Sequence, residues 1–265
     1  MPSKKNMKPD FCIYPSLLNA FQNYLDCEAN YEKFYGFSEN PSISFPEYDL
    51  KQFRELIDTI NRVPFESEAA DKGTCFNEII DCIVLGKKST RDDVEIRQAA
   101  GSLVATMGER TFYFDANLCK KVADRFMDAI PQYRTEAIFE TKYGKVLLYG
   151  YLDYLLCDVV YDVKTTGKYE FGKYKKGWQQ YVYPWTLIES KRCTDIKAFE
   201  YTAVLLKGGT SKEPLITGEI YPEVYTYSHE KATQLINSML EHFIEFLNNN
   251  KALITDKKVF GGVND

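Results

Sequence analysis

The stretch Lys145 to Thr166, KVLLYGYLDYLLCDVVYDVKTT, limits the possible folds of this chain more than any other segment. Apolar, β-branched and aromatic runs flank the pair Cys157 and Asp158, which predicts a strand over 145–156, a tight turn and a second strand over 159–166. Inside its ends and turn the hairpin carries Asp153, Asp162 and Lys164, and charge buried without a partner in such strands is costly. Alternate side chains of a strand share a face, so Asp162 and Lys164 point one way and Val163 points into the opposite layer. Asp153, on the neighbouring strand, falls beside Asp162. Two carboxylates that meet on a sheet repel each other unless a cation lies between them, and hard oxygen ligands suit Mg²⁺ or Mn²⁺.

Apolar spacing organises the remainder. A helix is expected over 14–24, with Ser16 as N-cap and Leu17, Leu18, Phe21 and Tyr24 on one side. Residues 36–48, with Pro41 and Pro46, read as a loop, and a second helix follows over 49–60. Gly73 is expected to open a helix carrying Phe76, Ile79, Ile80 and Ile83, with Asn77, Glu78 and Asp81 as its polar members. Residues 89–108 read as helical through Gly101, and 115–129 as another helix with Leu118, Val122, Phe126 and Ile130 in register. A strand over 133–139 turns at Tyr143 and Gly144 into the charged hairpin. A helix then ends near Ser190, two strands over 196–206 and 215–227 follow, and Ser228 caps a final helix with Ala232, Ile236, Leu240, Phe243 and Leu247 on its core face. This order predicts an α/β (α+β) fold with a mixed central β-sheet flanked by helices. One domain over 1–265 is expected, with a helical part over about 10–130 and a sheet core over about 131–250.

The formal net charge of −5 argues against a non-specific nucleic-acid coat, but it leaves room for a basic cleft on an acidic body. Seven cysteines, an odd number with no C-x-x-C pair, disfavour a disulfide framework and fit a reducing compartment. The start MPSKKNMKPD has no apolar leader pattern and no apolar run is long enough to span a bilayer, so a cytoplasmic protein without membrane contact is expected. The only histidines, His229 and His242, have no triad-like context. Lys168, Lys173, Lys175 and Lys176 interleave with Tyr169, Phe171, Tyr174 and Trp178, a pattern that suits either a phosphate backbone with unstacked bases or a solvated loop. Glu136 or Glu140 could reach the site from the 133–139 strand, although exposed strand carboxylates are the plainer reading.

Asp153 followed by Asp162-Val163-Lys164 resembles the D…(D/E)-x-K signature of the PD-(D/E)XK nuclease superfamily. Gln179 and Tyr183, four apart in a helical segment, resemble the Q-x-x-x-Y motif of its RecB-like branch, and Ser16-x-Leu18-x-x-Phe21 followed by Cys27, Tyr31 and Phe34 is similar to the opening of such domains. Where that branch has G-x-x-x-H-x-x-x-E, this chain has Gly73, Asn77 and Asp81, an amide in place of a metal-binding imidazole. The resemblance implies a restriction-endonuclease-like fold and a Mg²⁺- or Mn²⁺-dependent DNA nuclease, an exonuclease of recombination, repair or processing of the kind found in phages and mobile elements. It implies Asp153, Asp162 and the Val163 carbonyl as metal ligands. Glu78 is favoured over Asp81 to complete them, as in lambda-exonuclease-like relatives. Lys164 would orient or deprotonate the attacking water, Gln179 would hold the site, and Thr165, Thr166, Lys173, Lys175, Lys176 and Tyr183 would contact nucleic acid. A second copy, or a recombination or replication protein, is the expected partner besides DNA. The other readings are a catalytically inactive DNA-binding or protein-interaction module of the same fold, a surface salt-bridge cluster, and a small-molecule enzyme lacking any nucleotide-binding glycine loop.

Overall fold

The charged hairpin forms where its pattern places it. In the computed structural model of the protein, which describes residues 8–262, β6 (Gly144–Leu156) and β7 (Val159–Thr166) pair antiparallel across the turn at Cys157. Most of the N-terminal stretch inspected for a leader therefore lies outside the described residues.

Among the described residues this pair and seven further strands form one mixed sheet of nine. Before β6 in the chain come β1 (Phe11–Ile13), β2 (Glu95–Ala99), β3 (Ser102–Met107), β4 (Arg110–Asp115) and β5 (Ile130–Thr141), and after β7 come β8 (Ala198–Gly208) and β9 (Leu215–Thr226). The order is β1-β6-β7-β8-β9-β4-β3-β2, with β5 along the other edge of β6. The helices are α1 (Pro15–Leu25), α2 (Cys27–Tyr35), α3 (Phe45–Ile60), α4 (Glu68–Leu85), α5 (Ala116–Ala123), α6 (Gln179–Glu189) and α7 (His229–Asn249). The expected α+β class with a mixed sheet flanked by helices is what the chain adopts. Among the described residues no helix is long and apolar enough to cross a membrane.

The N-terminal part departs from the helical expectation. Residues 95–115, expected to be largely helical up to 108, form the β2-β3-β4 meander instead, and β4 joins the same sheet through parallel pairing with β9. Small residues such as Ala99, Ala100 and Ala105 favour a helix locally, but Gly101 and Gly108 take left-handed φ values of 70° and 57° in the connections between these strands. The expected helix over 115–129 stops at Ala123, although Phe126 still packs into the core beyond it, and Ile130 already belongs to β5.

Caps explain the other shifts. Pro15 occupies the first turn of α1, so Ser16 lies inside the helix and makes no cap bond. Ser44 and Glu47 form a capping box, with Ser44 Oγ 2.6 Å from Glu47 Oε2, and start α3 inside the segment read as a loop; Pro46 is tolerated in that first turn. Ser67 caps α4, which puts Gly73 in its second turn and not at its opening.

Helices α1, α6 and α7 bury one face of the sheet around β1 and β6, while α4 and α5 cover the other. Phe243 of α7 is fully buried and meets the Phe21 ring at 4.9 Å between centroids. Phe243→Ala is expected to destabilise the protein by about 3–5 kcal/mol through lost transfer energy and a residual cavity. A urea denaturation midpoint that does not move would contradict this packing.

Candidate active site

The site is built at a fork in the sheet. One edge of β6 is shared by two strands: Val146, Leu147 and Leu148 pair with β1, and Tyr154, Leu155 and Leu156 pair with β7. Between these segments β6 and β7 part, and Asp153 stands at the point of divergence. Its Oδ2 accepts the Val163 amide at 2.7 Å, so a side chain replaces the ladder bond lost there.

Side-chain alternation also breaks at Asp153. Val146, Leu148 and Leu152 pack toward α6, yet Tyr154 packs on the α4 side, stacked on Phe126 at 4.2 Å. Gln132, opposite on β5, has a left-handed φ of 47°, and its side chain donates to Asp81 at 2.9 Å. Both strands turn over at one level.

Asp162, one of the few charged residues buried at 3% exposure, accepts a hydrogen bond from Gln179 Nε2 at 2.7 Å through Oδ1. Its Oδ2 lies 2.6 Å from Lys164 Nζ. Beyond that ion pair Oδ2 has no hydrogen-bond partner among the described residues. Burial raises both aspartate pKa values; the neighbouring Asp162 charge adds to the rise at Asp153, and Lys164 opposes it at both. Burial alone would lower Lys164, but Asp162 and Asp153 outweigh it and hold its pKa above the usual lysine value.

A divalent ion fits this donor set. Asp153, half-buried, keeps one oxygen outside its bond to Val163, and buried Asp162 Oδ2 meets the Lys164 ammonium, so each carboxylate has one hard oxygen that a cation could take, at Asp162 in competition with Lys164. Among the described residues no third His, Cys, Asp or Glu joins them to form a metal cluster. Two carboxylates plus waters is a set that Mg²⁺ accepts, because it keeps much of its hydration shell.

Glu78 does not complete the set. Its Oε1 accepts the Ser89 hydroxyl at 2.6 Å, and one step along a helix rotates it by ~100° from Asn77. The line of α4 that crosses the sheet is Gly73, Asn77 and Asp81. A β-carbon at Gly73 would lie 2.8 Å from Thr165 Oγ1, while Asp81 accepts the Tyr154 hydroxyl. The Asn77 amide oxygen is buried without a partner. The glycine thus serves close helix-sheet approach.

Other expected contacts separate by face. Thr165 turns toward α4, whereas Thr166 Oγ1 takes the Lys173 ammonium at 2.6 Å. Tyr183 is buried against Gly150 and belongs to the core behind the aspartates, so the expected nucleic-acid contact is corrected to packing. Its pKa is raised by burial first and then by Asp162 and Asp153. Lys175 lines a separate small cavity beside Tyr181 and Tyr225. Glu136 is half-buried and paired with Arg134, and exposed Glu140 pairs with Lys145.

Beside Lys164 opens a cleft of about 290 Å³. Lys173, Lys176, Tyr174 and Gln179 form one side, and Ser16, Asn19, Gln22 and Asn23 of α1 form the other. Sequence reasoning missed this second wall. The signal was present as the polar side of an amphipathic helix, but such a side normally faces water.

The raised carboxyl pKa values carry a stability consequence. These raised values mean that the folded pair, with Asp162 ionised against Lys164, still holds a proton on Asp153 that the unfolded chain releases near pH 4. The stability they contribute is therefore fully present below that pH and is lost as pH rises through the folded values. Lys164 stays protonated across this window. Added Mn²⁺ is expected to raise the melting temperature more at pH 8 than at pH 5, by about 5 °C at saturating metal. An equal shift at both pH values would contradict the coupling.

No protein-family model and no curated protein sequence matches the chain. Among solved structures it is similar to the crystal structure of SSO0001, at 12% identity and a TM-score of 0.38 over 89% of this chain and 79% of that one.

Proposed function

We propose that this chain is a divalent-metal-dependent nuclease that hydrolyses phosphodiester bonds of DNA, working from strand ends. One observation carries the reading: Asp153 and Asp162 converge at the fork between β6 and β7, with Lys164 Nζ 2.6 Å from Asp162. Bound Mg²⁺ or Mn²⁺ would supply Lewis acidity and a more acidic water.

The chain's own groups have separable tasks. Asp153 and Asp162 would hold the ion, and Asp153 also fixes the Val163 amide. Gln179 holds Asp162 in one rotamer through its 2.7 Å hydrogen bond. Lys164 is kept protonated by Asp162, which favours holding water and offsetting phosphate charge over removing a proton. Lys173 and Lys176 stand along the cleft where flanking phosphates would run.

Incubation with linear, circular and single-stranded DNA in Mg²⁺ or Mn²⁺ tests the reading. Degradation of linear but not circular DNA is expected. Cleavage of neither sinks the enzyme. A second reading, a module that binds DNA without cutting it, draws on Asn77 in place of a charged or imidazole ligand and on the lack of a third acid at the site. Retention of DNA without cleavage would favour it.

A further inference from the structure

We propose that the amide face of α1 is a substrate-guiding wall, and that the cleft between α1 and residues 173–179 holds a single nucleic-acid strand on its way to the aspartates. The proposal rests on the nuclease reading for what happens to that strand, but the binding it describes stands on the cleft alone.

The chemistry of the two walls is asymmetric. One wall carries three lysines: Lys164 and Lys176 are paired with Asp162 and Asp26, and Lys173 lines it with them. Lys173 Nζ meets the neutral oxygens Thr166 Oγ1 at 2.6 Å and the Lys168 carbonyl at 2.9 Å and lies 5.7 Å from the Tyr174 ring, so among the described residues no carboxylate compensates its charge. The facing wall is neutral but rich in hydrogen-bonding groups, with Asn19 one turn before Gln22 and Asn23 on α1. No carboxylate is among the lining residues, although the protein carries a net charge of −5. Cations on one side and amides on the other match a strand whose phosphates face the lysines and whose base edges face the amides, which both donate and accept.

The width argues for one strand. Asn19 Oδ1 accepts the Trp178 amide at 2.7 Å, and Lys176 pairs with Asp26 at the end of α1 at 2.6 Å, so the walls are tied together at two points. The enclosed volume of about 290 Å³ lies at the small end of ligand pockets, and a duplex whose major groove alone is about 12 Å wide does not enter it. Asn19 therefore sets the spacing, Gln22 donates Nε2 to Asp26 Oδ1 at 3.2 Å and offers its amide oxygen, and exposed Asn23 presents its whole amide to substrate.

The test is fluorescence anisotropy with labelled single-stranded and blunt duplex oligonucleotides in EDTA, where cleavage is suppressed. The full-length wild type is compared with Gln22→Ala/Asn23→Ala, Asn23→Glu and Lys173→Ala. Wild type is expected to prefer the single strand. Losing two amide hydrogen bonds should weaken binding about fivefold to tenfold without changing the salt dependence, because no counterion contact is lost. Lys173→Ala should lower the log-log salt slope by about 0.7. Asn23→Glu, which sets a carboxylate opposite the lysines, should weaken binding more than the double alanine variant does. Thermal melting of each variant separates misfolding from lost contacts.

Unchanged affinity in both α1 variants overturns the guiding wall, and duplex binding as tight as single-strand binding overturns the strand assignment. A wild type that binds neither overturns the proposal entirely. Cleavage is scored separately on the same proteins with Mg²⁺. Binding with the expected α1 dependence but no cleavage removes the nuclease reading and supports the wall, whereas cleavage with α1 variants that bind normally removes the wall alone.

Discussion

Asp162→Asn is expected to abolish metal-dependent DNA cleavage, with a loss of about 10³-fold or more, while the fold persists. The magnitude follows from removing one of two charged ligands to an ion that contributes several kcal/mol of transition-state stabilisation, at about 1.4 kcal/mol per tenfold in rate. Asparagine keeps the shape and one oxygen to accept Gln179, so the 2.7 Å contact that anchors α6 to β7 has a substitute. The charge is what disappears. Lys164 loses its closest counter-charge, and Asp153 loses the neighbour that adds to its raised pKa, so its carboxyl should titrate closer to the ordinary aspartate range. The melting-temperature rise on adding Mn²⁺ should vanish in the same variant. Wild-type cleavage by Asp162→Asn would remove the two-aspartate site from consideration.

Lys164→Met separates holding the ion from using it. Methionine retains the bulk of the stem but removes the ammonium 2.6 Å from Asp162. Cleavage is expected to fall by about 10²- to 10³-fold, as when a preorganised charge-stabilising group is lost from a site. Metal binding should behave in the opposite way. The ammonium competes with a metal ion for the same carboxylate, so Mn²⁺ should stabilise Lys164→Met at least as much as it stabilises wild type. The apo variant should also be less stable at neutral pH, because two buried carboxyls then face each other without a compensating cation. Loss of both cleavage and metal-induced stabilisation would instead make Lys164 part of the framework of the site.

How far each element was legible depended on where its stabilisation comes from. The β6-β7 hairpin, the α7 stripe from Ala232 to Leu247 and the Ser228 cap follow from local spacing, and all form as their patterns dictate. The 95–108 segment did not, because strand β2 is an edge strand whose side chains are mostly exposed and its alternation is weak. Its partners, β3 and β4, gain their place through the long-range pairing of Tyr113 and Phe114 with Leu215 and Ile216. Glu78 illustrates the same limit at the site. Spacing puts it one residue from Asn77, but its Oε1 accepts the Ser89 hydroxyl and it does not join the aspartates in a three-ligand group among the described residues.

The residue pattern by itself determined that Asp162 and Lys164 share a face and Val163 the other, that Asp153 lies near them, and that Gln179 follows on a helix. Those relations depend on backbone period and on a two-residue turn, which are local. Only the tertiary structure decided that β1 and β7 divide one edge of β6, opening the gap at which Asp153 and Asp162 converge. It alone also decided that the polar side of α1 faces Lys164 across a cleft and not open water. Both outcomes come from contacts between residues more than a hundred positions apart, such as Phe11 with Val146 and Asn19 with Trp178. Helix and strand periods say which face is polar, but the packing of distant elements sets what that face meets.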